Sequence, residues 1–66
     1  MKNKLKIQRA IHDITQDDLA KRISVSRQTI NTIESGKYIP STALALKMAK
    51  TFGISVEELF QLEEGD

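Results

Sequence analysis

SVSRQTINTIESGKY, residues 24–38, makes sense as a helix only if its two faces meet different surroundings. Ser26 is a good N-cap, because its hydroxyl can accept from a free backbone N–H in the first turn. Gly36 supplies the left-handed residue that ends a helix, so the helix runs to about Ser35. At about 100° per residue, Arg27, Gln28, Asn31, Thr32 and Ser35 share a sector roughly 140° wide, with Ile30 and Ile33 opposite. The isoleucines dock the helix. The other face is odd for one that is merely solvated, since Asn and Thr are mediocre helix formers. Its groups match base edges in a major groove: Arg can donate two bonds to guanine O6 and N7, and Gln or Asn can both donate and accept at adenine N6 and N7.

A second helix lies just upstream, in QDDLAKRISVSRQTINTIES, residues 16–35. Thr15 as N-cap with Asp18 three residues on is an acidic variant of the capping box, and Asp17 adds a favourable charge to the first turn. Leu19, Ala20 and Ile23 form its inner stripe, and Ser24-Val25-Ser26 leaves room only for a sharp turn. That is the pattern of a helix-turn-helix, in which Ala20 is small because the helices cross there at around 90–120°. Such a crossing lets the later helix enter a groove while the earlier one spans phosphates. Gln16 and the free N–H groups beside it are placed to hold a phosphate. Asp17 and Asp18 would oppose that unless they face sideways.

The remaining chain is also helical in pattern. A first helix is expected from about Lys4 to His12, with Ile7, Ile11 and Ile14 (the last just past its end) in an i, i+4, i+7 series and Leu5 off that line, so its inward face is ambiguous. GKYIPS is loop, with Pro40 ending any local helix. Ser41 caps a fourth helix carrying Leu44, Met48 and Phe52 inward, and Gly53 sits at its left-handed end. Ser55 and Glu58 make a full capping box for a short fifth helix with Val56, Leu59 and Phe60, and Leu62 as a further candidate. No stretch alternates with period two long enough for a strand. The expectation is an all-α fold of five short helices, one domain over residues 1–66, with the helix-turn-helix at about 16–35.

Composition narrows the function classes. A 66-residue chain removes only about 60% of its unfolded surface from water, and scaffolds this small often need a staple: a disulfide, a metal or a second copy of themselves. Cysteine is absent and His12 is the single histidine, which leaves no metal site and points to self-association. The longest apolar run, Ala43–Leu46, is far below the roughly 18 residues of a membrane span. The basic N-terminus has no apolar segment behind it to act as a signal peptide, so the expected location is the cytoplasm. Residues 1–37 hold eight Lys and Arg against four Asp and Glu, whereas residues 38–66 hold two against five. That division suits a basic face for a polyanion, with the acidic end turned away. An enzyme is set aside: there is no nucleophilic Cys, G-x-S-x-G, P-loop or plausible carboxylate pair, and no cofactor or small-molecule ligand is called for.

TQDDLAKRISVSRQTINTIESGKYIPS, residues 15–41, resembles the helix-turn-helix of the lambda-repressor-like family, the Cro/CI or XRE-type regulators. The resemblance continues through ALALKMAKTFGISVEELF, residues 43–60, and is close to the small cytolysin-repressor-like members. It implies a five-helix fold, no cofactor and homodimers on operators with two half-sites in double-stranded DNA. It places Gln16 on a phosphate and in support of the recognition helix, with Arg27 and Gln28 as principal base readers. It gives Thr29, Asn31 and Thr32 further contacts, and phosphate contacts to Ser26, Lys37 and Tyr38. It also implies a structural ion pair between Arg9 and Glu34. Two positions depart from the pattern: Ser24 stands where the turn usually has Gly, so it should be left-handed and Ser24→Gly should stabilise modestly. Gln8 stands where Leu is frequent.

The reading that follows is a sequence-specific transcriptional regulator, a repressor binding a pseudo-palindromic operator with its third helix in the major groove. Dimerisation is expected through Ile54, Val56, Leu59, Phe60 and Leu62, which offer more apolar area than one short helix hides. The competing reading is an antitoxin-like interaction module that also binds DNA, with a partner protein on the acidic end.

Overall fold

Side-chain hydroxyls start four of the five helices. A computed structural model describes residues 1–66 as β1 (Lys2–Asn3), α1 (Leu5–His12), α2 (Gln16–Arg22), α3 (Arg27–Glu34), α4 (Thr42–Phe52), α5 (Val56–Leu59) and β2 (Phe60–Gln61). The hydroxyls of Thr15, Ser26, Ser41 and Ser55 accept from the backbone N–H groups of Asp18, Thr29, Leu44 and Glu58. At Thr15 and Ser55 the carboxylate three residues on returns the bond, completing a capping box. Each cap satisfies donors that a helix start otherwise leaves without partners.

The ends of the first four helices share one geometry. Asp13, Ser24, Gly36 and Gly53 have φ of 54°, 59°, 79° and 68°. After each, the next N–H reaches back to the carbonyl five residues earlier: Ile14 to Arg9, Val25 to Ala20, Lys37 to Thr32 and Ile54 to Ala49, at 3.0–3.1 Å. This Schellman closure satisfies the last carbonyls and turns the chain sharply. Ile14, Val25 and Ile54, the residues arriving after three of the turns, pack in or against the core. The left-handed residue at Ser24 is where the sequence places it. Asp13 was not anticipated, although Asp tolerates this conformation through its short polar side chain.

Leu5, Leu19, Ile30, Ile33, Met48 and Leu59 are the largest fully buried side chains, so every helix sends at least one into a common core. Full burial of such a side chain is worth about 1.5–3 kcal/mol. No helix is long and apolar enough to cross a membrane.

The structure corrects four expectations. Ile7 and Ile11 lie on the open side of α1, 57% and 66% exposed, and Leu5 is the residue driven inward. The rotation is set by polar ties: the Lys4 N–H donates to the Leu59 carbonyl at 2.9 Å, and Arg9 is held by Glu34. Ile14 is buried, but it reaches the core from beyond the Asp13 turn and so does not continue the helical stripe. Second, a short antiparallel ladder joins the chain's two ends, pairing Lys2 with Gln61 and Asn3 with Phe60. Third, α5 is a single turn, because Phe60 turns extended (φ −123°, ψ 134°) to enter that ladder. Fourth, Leu59 and Phe60, expected on a surface open to a second copy, are 0% and 7% exposed and belong to the single chain's own core. Leu62 is 81% exposed, while Ile54 and Val56 are partly buried.

Candidate nucleic-acid interface

Three attachments hold α3 in place. Ile30 and Ile33 bury its inner face against α2 and the core. At its far end the Asn3 amide donates to the Ile33 carbonyl at 2.8 Å. Glu34 receives a two-pronged grip from Arg9, Nε to Oε2 at 2.6 Å and Nη2 to Oε1 at 3.0 Å, and Arg9 Nη1 also donates to the Ile14 carbonyl at 3.2 Å. The two side chains are 16% and 8% exposed, so the pair is well shielded from water. Parallel guanidinium–carboxylate bonds add directional specificity to the charge attraction, and Glu34 raises the already high pKa of Arg9, chiefly through the hydrogen bond.

Gln16 extends this network toward solvent. Its Nε2 donates to Glu34 Oε1 at 3.2 Å and to Asn31 Oδ1 at 3.4 Å. The start of α2 is thereby fixed to the middle of α3, and the Asn31 amide keeps its N–H2 free to donate outward. The two acids beside Gln16 are engaged elsewhere. Asp18 caps Thr15, whose backbone N–H holds the carboxyl below its ordinary pKa, and Asp17 pairs with Lys21 at 3.2 Å.

Arg27, Gln28 and Asn31 all face solvent, and the side chains of Arg27 and Gln28 make no hydrogen bond or ion pair within the fold. Thr29 and Thr32 differ. Thr29 is half-buried with its hydroxyl 2.9 Å from that of Ser26, and the Thr32 hydroxyl donates to the carbonyls of Gln28 and Thr29, both at 3.0 Å. Their outward chemistry is thus a methyl group and a spare lone pair. Ser26 accepts from the Thr29 N–H at 3.1 Å, and Lys37 and Tyr38 are exposed in the loop after α3. His12 packs its ring 5.4 Å from that of Phe52, a structural contact.

Two contributors escaped the sequence reading. Asn3 ties the strand ladder to α3, and nothing local in KNK signals a contact thirty residues away. Lys6 lines a groove with Gln16 and Arg27. Its signal was available, since Lys6 stands one turn before Arg9 and so on the same side of α1.

A helix-turn-helix family model matches residues 5–59. An uncharacterized HTH-type transcriptional regulator of Methanocaldococcus jannaschii is 58% identical over 66 residues, covering 100% of both chains. The uncharacterized HTH-type transcriptional regulator YgzD of Bacillus subtilis is 47% identical over 64 residues, 97% of each chain. Among solved structures, the restriction-modification controller protein C.AhdI of Aeromonas hydrophila superposes with a TM-score of 0.78 at 28% identity over 86% of each chain. The SOS-response transcriptional repressor LexA of Eubacterium rectale does so with a TM-score of 0.80 at 32% identity, over 94% of this chain and 66% of that one.

Proposed function

This chain belongs to the lambda-repressor-like helix-turn-helix family and is a DNA-binding transcriptional regulator, and from that premise we propose that it represses by occupying a two-half-site operator as a homodimer. The observation that carries this reading is the division of α3: Ile30 and Ile33 are 0% and 1% exposed while Arg27, Gln28 and Asn31 face solvent, Asn31 with its amide N–H2 unspent. In the major groove Arg27 would donate two bonds to guanine, Gln28 and Asn31 would address adenine, and the methyl groups of Thr29 and Thr32 would meet thymine methyls. Gln16, Ser26, Lys37 and Tyr38 would hold phosphates and fix the register without reading sequence.

Of the five C-terminal apolar residues expected at a dimer surface, Leu62 and the open parts of Ile54 and Val56 remain for a second copy. The chain's long dimension of 31 Å lets two touching copies span the ~34 Å between successive major grooves on one side of a duplex. The name of the LexA relative, an SOS-response transcriptional repressor, supports the sign of regulation.

Substitution at the helix surface tests the reading. Arg27→Ala or Gln28→Ala should weaken binding to the operator by ~1–3 kcal/mol and relax its sequence preference. Lys37→Ala should weaken all DNA about equally and lower the salt slope by about one unit. Operator affinity unchanged in the Arg27 and Gln28 variants would remove them as base readers.

A further inference from the structure

A groove of about 650 Å³ runs between α1, the turn at Asp13–Thr15 and the first turns of α2 and α3. Its walls include Gln16 and Arg27, which the DNA-binding reading already sets against the duplex, with Asp17 beside them and Lys6, Arg9 and Asp13 on the α1 side. The cations are not equivalent. Arg9 spends its guanidinium on Glu34 and the Ile14 carbonyl. Lys6 is exposed and has no carboxylate within ion-pair distance. The acids differ as well: Asp17 is paired with Lys21, whereas Asp13 is exposed, has no ionic partner, and is held at φ 54° by the turn.

We propose that this groove carries the DNA backbone beside the bases read by α3, with Lys6 binding a phosphate and Asp13 opposing it. The proposal rests on the DNA-binding reading and adds to it a contact outside the helix-turn-helix. A Lys ammonium is a compact charge on a flexible stem, and a phosphate contact of this kind adds affinity while leaving base preference untouched. Asp13 acts in the reverse sense, as a fixed negative charge on the track. Asparagine can replace it without disturbing the turn, because Asn also tolerates the left-handed conformation.

The test is a set of anisotropy titrations of a labelled mixed-sequence duplex at salt from about 50 to about 200 mM. The proteins are the wild type, Lys6→Gln, Lys6→Arg, Asp13→Asn and, as a control on the last turn of α4, Lys50→Gln. Lys6→Gln should lower the salt slope by about 0.9, so that the wild type's advantage widens about threefold from the high-salt to the low-salt end. Lys6→Arg, which keeps the charge, should restore the slope, and Asp13→Asn should bind more tightly than the wild type. Lys50→Gln should match the wild type. A Lys6→Gln slope equal to that of the wild type, or an equal loss in Lys50→Gln, would overturn the groove assignment alone. A wild type that binds no duplex at low salt would overturn the DNA-binding reading, and the groove would fall with it.

Discussion

Arg9 and Glu34 form the shielded ion pair of the fold, and their bond joins α1 to the end of α3 across 25 residues of sequence. Both side chains are more than four-fifths covered, so neither has water to replace a lost partner. Removing one strands the other, and Arg9→Ala or Glu34→Ala should each cost ~3–5 kcal/mol. Replacing both with apolar residues of similar size should cost less than either single change. Urea denaturation of the three variants decides it: single variants within 1 kcal/mol of the wild type would show the pair to be incidental. At this scale the sequence was informative about identity more than about commitment. The exposure of Arg27, Gln28 and Asn31 could be read from the helical wheel. The hydroxyls of Thr29 and Thr32, bonded back to their own helix, could not, since a wheel gives direction and says nothing of intrahelical bonds.

Helix boundaries were legible because capping is local chemistry: Thr15 with Asp18 and Ser55 with Glu58 announce helix starts within four residues. The face of α1 was not, although Ile7, Ile11 and Ile14 recur with a helical period. Its rotation is fixed by a buried ion pair and a backbone bond to Leu59, both from distant parts of the chain. A two-residue strand has no period to detect. The caps also make stability depend on acid. Backbone N–H bonds from Thr15 and Ser55 hold the carboxyls of Asp18 and Glu58 below their ordinary values of 3.8 and 4.5. A group with a depressed folded pKa contributes its full stabilisation above its unfolded pKa and loses it as pH falls through the folded one. Thermal melts should therefore be flat from neutral pH to about pH 5 and fall below about pH 4. Asp18→Asn and Glu58→Gln should shrink that fall. A wild-type-sized acid loss in the double variant would place the titrating groups elsewhere.

For the molecule as a whole, the C-terminal segment divides into residues that complete the chain's own core and residues left over. Leu59 is fully buried, so Leu59→Ala should cost ~2–5 kcal/mol. Leu62 is 81% exposed, so Leu62→Ala should leave the melting temperature of dilute protein unchanged and weaken self-association in equilibrium sedimentation. A wild type that sediments only as a 7.4 kDa species at micromolar concentration would remove the homodimer. The charge division belongs to this scale too. The basic half of the chain holds α1 to α3 and the acidic half α4, α5 and the tail, but the terminal ladder brings the tail back to the N-terminus, where Glu63 and Asp66 pair with the Met1 ammonium.

Selection of bound duplexes from a random pool, with the wild type and Arg27→Ala in parallel, tests the free face of α3 most directly. The wild type should enrich one motif with two half-sites about one helical turn apart. Arg27→Ala should keep binding but lose its preference at one base pair of each half-site. Enrichment of an identical motif by both proteins, or of no motif by the wild type, would contradict base reading by this helix.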